Sequence, residues 1–162
     1  MEAPCDPSRN MKSNFLSVYD VNMHYRSAGH GSTMLFLHGM PTSSFLWRKV
    51  IAQLSHSHYC VAPDLIGMGA SEKPTNIAYT IDDHIRFIHG FIKTLNLKNI
   101  TLVMHAWGSI IGFEYARLYP ENVAGIVFYE SHFKPSYQGD DLSLPIAEYM
   151  TMLKAEEDIY KK

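Results

Sequence analysis

Short apolar runs alternate along the chain with segments whose apolar residues recur at helical spacing. An early pair of runs, residues 15–19 and 21–25, alternates partly around Asp20 and predicts a hairpin at a sheet edge. Four later runs are nearly continuous, as is typical of strands buried on both faces of a parallel sheet: residues 33–38, 59–62, 100–105 and 123–129. Their order predicts an α/β fold, with a mostly parallel sheet and helices on both faces.

Three segments between these strands have the pattern of amphipathic helices. The first covers residues 47–54, and the third covers residues 107–118, where Tyr119-Pro120 ends it because proline cannot continue a helix. The second begins with Thr80 as N-cap and Asp83 in a capping-box arrangement. Its apolar residues recur at spacings of four and three and form one stripe: Ile81, Ile85, Ile88, Ile92 and Leu95.

The pattern changes after Glu130, where proline, glycine and aspartate residues precede a helix-forming tail. A sheet that ended with the run 123–129 would leave an apolar edge open. We therefore expect a fragment, truncated before the cap and the last strands are complete, or a chain that a complementing C-terminal segment completes. The predicted parts are a flexible N-terminal tail (1–13), the N-terminal part of an α/β core (14–135) and the start of a helical cap (136–162).

Composition narrows the possible functions. The chain has 162 residues, of which 46% are hydrophobic and 19% charged, and its net charge is −2. We therefore expect no basic surface for nucleic acid or an anionic membrane. No run of about 18 apolar residues could span a bilayer, and the acidic, proline-containing N-terminus is unlike a signal peptide. Cys5 and Cys60 are too few for a disulfide framework, so the expected location is the cytoplasm.

The nine histidines do not predict a metal site. His56 and His58 lie close together in a predicted loop, and His84 and His89 are five residues apart, off a common helical face. We expect these four to be surface histidines, and we expect neither a metal nor another cofactor.

The most informative segment, Met-His-Ala-Trp-Gly-Ser over residues 104–109, joins a predicted buried strand to a helix. α/β-Hydrolases place their nucleophile on such a sharp turn. A side chain at position 106 would stand above the carboxyl ends of the strands, where ligands bind in open α/β folds, and the helix N-terminus would favour an anion there. Ser109 is expected to bond back to a carbonyl, and His105 to point to the opposite side.

Two further segments follow predicted strands. In the first, Gly39 allows a tight turn and the N–H of Met40 could face a developing oxyanion. The second is a glycine-rich turn after Asp64, whose carboxylate is expected to accept backbone N–H bonds. That turn lacks the ending of a phosphate-binding loop.

Together the three segments closely resemble the haloalkane dehalogenases and their relatives, the coelenterazine luciferases. His-Gly-Met-Pro-Thr-Ser-Ser-Phe-Leu-Trp-Arg begins at His38, Asp-Leu-Ile-Gly-Met-Gly-Ala-Ser-Glu-Lys-Pro at Asp64, and His-Ala-Trp-Gly-Ser at His105. They occur in the family's order and at its spacing, within a resemblance that covers residues 15–135. The resemblance implies the α/β-hydrolase fold and hydrolytic cleavage of a carbon–halogen bond.

The resemblance also implies roles for four residues. Ala106 matches the family's nucleophile, an Asp that displaces halide and forms an alkyl ester, and Glu130 matches the acid that orients the catalytic His in one branch. Trp107 matches the tryptophan that donates its indole N–H to the halide. Met40 stands where the family often has an Asn as second halide donor. The catalytic His would belong to a C-terminal segment that this chain does not contain.

The departures at two of these positions bear on activity. A methyl group at Ala106 cannot attack carbon, and the thioether of Met40 donates no hydrogen bond to an anion. The predicted function is therefore a dehalogenase-like hydrolase, inactive as written, with a halide ion and a small apolar or halogenated ligand as partners. The alternatives are an epoxide hydrolase, a luciferase-like oxygenase of the same fold, and a non-catalytic ligand-binding protein that keeps the pocket.

Overall fold

The structure is a computed structural model and describes residues 11–131. Six strands form one sheet in the order β1-β2-β4-β3-β5-β6. They are β1 (Lys12–Val18), β2 (Val21–Ala28), β3 (Ser32–Leu37), β4 (His58–Pro63), β5 (Ile100–His105) and β6 (Val123–Tyr129). The predicted start of the cap, residues 136–162, lies outside the described residues, and so do most of the predicted tail and Cys5.

The sheet is mostly parallel, as predicted. β3 pairs in parallel with β4 and with β5, and β5 pairs in parallel with β6. β1 and β2 form the predicted antiparallel hairpin, and their turn residues Tyr19 and Asp20 both have positive φ, as the tightest hairpin turns require. β1 begins at Lys12, inside the range predicted as a tail, because the edge of β2 extends to Ser27 and pairs with it.

The predicted helices are also present. A short 3-10 turn, Ser44–Trp47, leads into α1 (Arg48–Leu54), and α2 (Ile81–Thr94) and α3 (Trp107–Leu118) follow. The N-cap of α2 has the predicted capping box between Thr80 and Asp83. A second 3-10 turn, Pro120–Asn122, then leads into β6.

Side chains alternate along the central strands and divide the core into two layers. On β3, Leu35 and Leu37 pack with Ile88 of α2 and Ile111 of α3, whereas Phe36 packs on the opposite face with Ile51 of α1. Helices therefore cover both faces of the sheet, as predicted. No helix among residues 11–131 is long and apolar enough to cross a membrane.

The far edge of the sheet is apolar and open within the described part of the chain. There β6 pairs with β5 alone. Four consecutive side chains of β6 are between 42% and 51% exposed: Ile126, Val127, Phe128 and Tyr129. Within residues 11–131, the expected open apolar edge is therefore present at β6.

Candidate functional site

A sharp turn joins β5 to α3 at a single residue, Ala106. Its backbone has φ +49° and ψ −118°, a region that costs a residue with a side chain about 1–3 kcal/mol. β5 ends one residue before it and α3 begins one residue after it. This is the strand–turn–helix geometry of a nucleophile elbow, predicted for position 106.

Close backbone approaches hold this turn in place. A Cβ added to Gly39 would lie 2.6 Å from the Cβ of Ala106, and one added to Gly108 would lie 2.3 Å from the carbonyl oxygen of Leu37. Both glycines are therefore needed for the loop after β3 to meet the elbow. The Ser109 hydroxyl and N–H both donate to the carbonyl of Ala106, as predicted for the hydroxyl, so that oxygen is part of the helix start.

The loop after β3 is fixed by a histidine that sequence reasoning did not single out. His38 is fully buried, its Nδ1 donates to the carbonyl of Gly39 at 2.8 Å, and its Nε2 accepts from the N–H of Leu65 at 3.0 Å. The Thr42 hydroxyl donates to the same Gly39 carbonyl at 2.6 Å. Burial lowers the pKa of His38, which keeps the ring neutral and able to accept the bond from Leu65.

Asp64, at the end of β4, holds two neighbouring loops. Its carboxylate accepts bonds from the N–H of Ser44 at 2.6 Å, from the N–H of Ala70 at 2.8 Å and from Nδ1 of His24 at 2.8 Å. Burial acts to raise its pKa, but these hydrogen bonds outweigh burial, so the pKa is lowered from 3.8. The predicted role of Asp64 in the glycine turn is confirmed, and it extends to the loop before α1.

Trp107, the first residue of α3, is 3% exposed and packs in the core layer below α2 and α3. The centroid of its indole ring lies 5.9 Å from the centroid of the His84 imidazole, and the two ring planes are nearly perpendicular at 78°. Met40 packs against the same layer from the loop after β3. The structure thus brings Trp107, Met40 and the elbow to one end of the sheet.

The expectation of a surface histidine at position 84 is wrong. His84 is fully buried, and burial lowers its pKa from 6.5 to about 4. The apolar stripe of α2 explains why His84 is buried and not exposed. Position 84 lies three residues after Ile81 and four before Ile88, so it shares their face of the helix. That spacing was visible in the sequence. His56 is exposed, as expected, while His58 and His89 are partly buried.

An apolar groove of about 760 Å³ opens beside Met40. Its other walls come from Ile66 and Met68 in the glycine turn and from Tyr79 just before α2, with Lys73 as its charged residue. Of the four predicted site residues, Met40 lines this groove.

Glu130 follows β6 directly and has a positive φ of 49°. Its carboxylate accepts a hydrogen bond from Nε2 of His105 at 2.8 Å, although the Glu130 side chain is 76% exposed. The His105 ring stacks on Tyr129 at 4.6 Å. His105 lies on the same side of β5 as Val103, the α1 face, consistent with the direction expected for it. Its contact with Glu130 was not foreseen.

Within residues 11–131, no three metal-ligating side chains come together in a cluster. The polar groups around the elbow are backbone amides, the Trp107 indole and neutral or hydrogen-bonded histidines. Such a site can hold a small anion or an apolar ligand.

Comparisons with known proteins agree with this geometry. The family model described as alpha/beta hydrolase fold matches residues 32–156. A haloalkane dehalogenase of Mesorhizobium japonicum is 41% identical over 120 residues, which are 74% of this chain and 38% of that protein. Coelenterazine h 2-monooxygenase of Renilla reniformis is 34% identical over 149 residues, 91% of this chain and 46% of that protein.

The fold of a solved haloalkane dehalogenase also matches that of this chain. The crystal structure of haloalkane dehalogenase DatA from Agrobacterium tumefaciens C58 superposes with a TM-score of 0.74 at 32% identity, covering 80% of this chain and 44% of that one. The chain thus spans less than half the length of each of these three proteins.

Proposed function

Because the chain belongs to the α/β-hydrolase family and has haloalkane dehalogenases among its relatives, we propose that it carries the elbow half of a dehalogenase-like site. The observation that carries this proposal is the single-residue turn at Ala106, with its positive φ and its contact with Gly39. In this proposal position 106 is the nucleophile position, and the chain as written has no nucleophile there.

The proposed chemistry follows from what each side chain could do. In such an enzyme a carboxylate oxygen attacks the carbon that bears the halogen, the carbon–halogen bond breaks, and the halide leaves with the electron pair. Trp107 would donate its indole N–H to the halide, and Met40 would add apolar contact but no hydrogen bond. Glu130 would orient the histidine base. Loss of a nucleophile costs about 10⁶ in rate, so turnover by this chain should be negligible.

The proposed partners are a halide ion, a small apolar or halogenated ligand, and a C-terminal segment that complements the sheet. The apolar groove beside Met40 supports the second of these. The exposed side chains of β6 support the third, since an open apolar strand edge favours pairing with another segment. The cytoplasm stays a prediction from the cysteine content.

The proposal is tested with the variant Ala106→Asp, co-expressed with the C-terminal half of the Mesorhizobium japonicum dehalogenase. Halide release from 1-bromobutane should appear in Ala106→Asp and be absent from Ala106→Asn, which has nearly the same shape but no nucleophile. The dehalogenase's own N-terminal half, co-expressed in the same way, is the positive control. If that control is active and Ala106→Asp releases no halide, the proposal is wrong.

The same proteins distinguish the alternatives. An epoxide hydrolase would convert an epoxide to a diol without releasing halide from any haloalkane. A luciferase-like oxygenase would emit light with coelenterazine. A non-catalytic binding protein would bind halide or an apolar ligand in calorimetry while Ala106→Asp stays inactive.

A further inference from the structure

His84 lies between the groove and the elbow. The centroid of its ring is 6.4 Å from that of Tyr79, which lines the groove, and 5.9 Å from that of Trp107, at the start of α3. It is fully buried. A substitution of His84 would therefore alter contacts with both the groove and the start of α3 beside the elbow.

The chemistry of His84 is unusual for a core position. Among the described residues, neither of its ring nitrogens has a hydrogen-bond partner. Burial holds its pKa at about 4, so the ring is neutral near pH 7 and carries one N–H. An apolar side chain could fill the same space without burying two unpaired nitrogens, so packing alone gives no reason for a histidine here.

The perpendicular arrangement with Trp107 supplies a reason. At 78° between the ring planes, the edge of one ring faces the π surface of the other. An imidazole N–H directed at an indole face makes a weak but directional N–H···π bond. Such a contact would fix the plane of the indole ring more narrowly than apolar packing does.

We propose that His84 is a positioning residue for Trp107: its imidazole N–H donates to the indole face and sets the orientation in which Trp107 meets a halide. This inference rests on the proposed halide-donor role of Trp107. His84 itself does not touch the halide and acts through the indole.

The test uses Trp47→Phe as background, because Trp47 and Trp107 are the two tryptophans of the chain. In that background Trp107 is the sole source of indole fluorescence and of the tryptophan bands in near-UV circular dichroism. The variant His84→Phe keeps an aromatic ring but loses the N–H, and His84→Gln restores an N–H donor. The matched control is His89→Phe, on the same helix, because His89 contacts Tyr115 and Tyr119 instead.

Two readouts are measured: the near-UV spectrum of Trp107 without ligand, and the dissociation constant for bromide from quenching of its fluorescence. We expect His84→Phe to change the spectrum and to weaken bromide binding by about threefold, the equivalent of one weak N–H···π contact. His84→Gln should recover part of both, and His89→Phe should change neither.

The proposal is overturned if His84→Phe leaves the near-UV spectrum and the bromide affinity unchanged, or if His89→Phe changes both as much. If the parent protein shows no saturable bromide binding, the halide role of Trp107 fails, and the ligand-free spectrum still decides whether His84 orients the indole. If His84→Phe does not fold, His84→Leu takes its place as the variant without an N–H, and the same results would overturn the proposal.

Discussion

Replacement of His84 by leucine should make the fold less sensitive to acid. The folded protein holds the pKa of His84 at about 4, below the ordinary value of 6.5 found in an unfolded chain. Between these two values the unfolded chain binds a proton that the folded chain does not, so the free energy of unfolding falls as the pH falls through this window. Below about pH 4 both states are protonated and this residue causes no further loss.

The size of the effect follows from the difference between the two pKa values. One pKa unit is worth about 1.36 kcal/mol, so at pH 4 His84 lowers the free energy of unfolding by about 3 kcal/mol relative to pH 7. Leucine does not titrate and removes this contribution. His38 is also buried with a lowered pKa, so some acid sensitivity should persist in the variant.

The assay is urea unfolding at pH 4, 5, 6 and 7, followed by tryptophan fluorescence, for the parent, His84→Leu and the control His56→Leu. His56 is exposed, so its variant should follow the parent at every pH. The parent should lose about 3 kcal/mol more than His84→Leu between pH 7 and pH 4. Parallel losses in the parent and His84→Leu would refute the assignment of a neutral, buried imidazole.

Three further predictions concern the scaffold around the site. Gly39→Ala places a Cβ 2.6 Å from the Cβ of Ala106 and should lower the free energy of unfolding, measured by heat or urea, by about 1–3 kcal/mol. Gly125→Ala is the control, because its nearest contacts lie at 3.7 Å and it should be nearly neutral. Equal effects of the two substitutions would contradict the close approach at Gly39. Asp64→Asn breaks a buried, charge-assisted network and should cost about 3–5 kcal/mol in the same assay, a loss below about 1 kcal/mol being the contrary result. Cys60 is buried, and burial raises the pKa of its thiol to about 11. In a Cys5→Ser background a thiol reagent should therefore label Cys60 only as fast as the protein unfolds. Rapid labelling of the folded protein would disprove its burial.

Much of the fold could be predicted because its local signals were strong. The apolar runs 100–105 and 123–129 coincide with β5 and β6, and the segment 107–118 coincides with α3. The capping box at Thr80 fixed the start of α2 from two side chains alone. These boundaries depend on neighbouring residues, and the sequence contains that information.

Other features depend on contacts between distant segments. The order of the strands places β4 between β2 and β3, which no local pattern indicates. β1 starts at Lys12 because β2 offers a partner there, although Lys12, Ser13 and Asn14 are polar. The bond from His105 to Glu130 likewise requires β5 and β6 to lie side by side.

The site was predicted in part. The sharp turn at Ala106 and the back-bonding of Ser109 were predicted, because the strand, the small residues and the helix start are all local. The burial of His84 was missed because its polar type outweighed its place on an apolar stripe. The roles of Ala106, Trp107, Met40 and Glu130 stay predictions, because they concern a ligand and a C-terminal segment.

The central claim, that residue 106 stands at a nucleophile position, is tested most directly by mass spectrometry of Ala106→Asp after incubation with 1-bromobutane. The new carboxylate should displace bromide and gain one butyl group as an ester, and tandem spectra should place that group at residue 106. Because the histidine base is proposed to come from a complementing C-terminal segment, the ester should persist in this chain alone. Folded protein that gains no butyl group at this residue, while other side chains are alkylated, would contradict the claim.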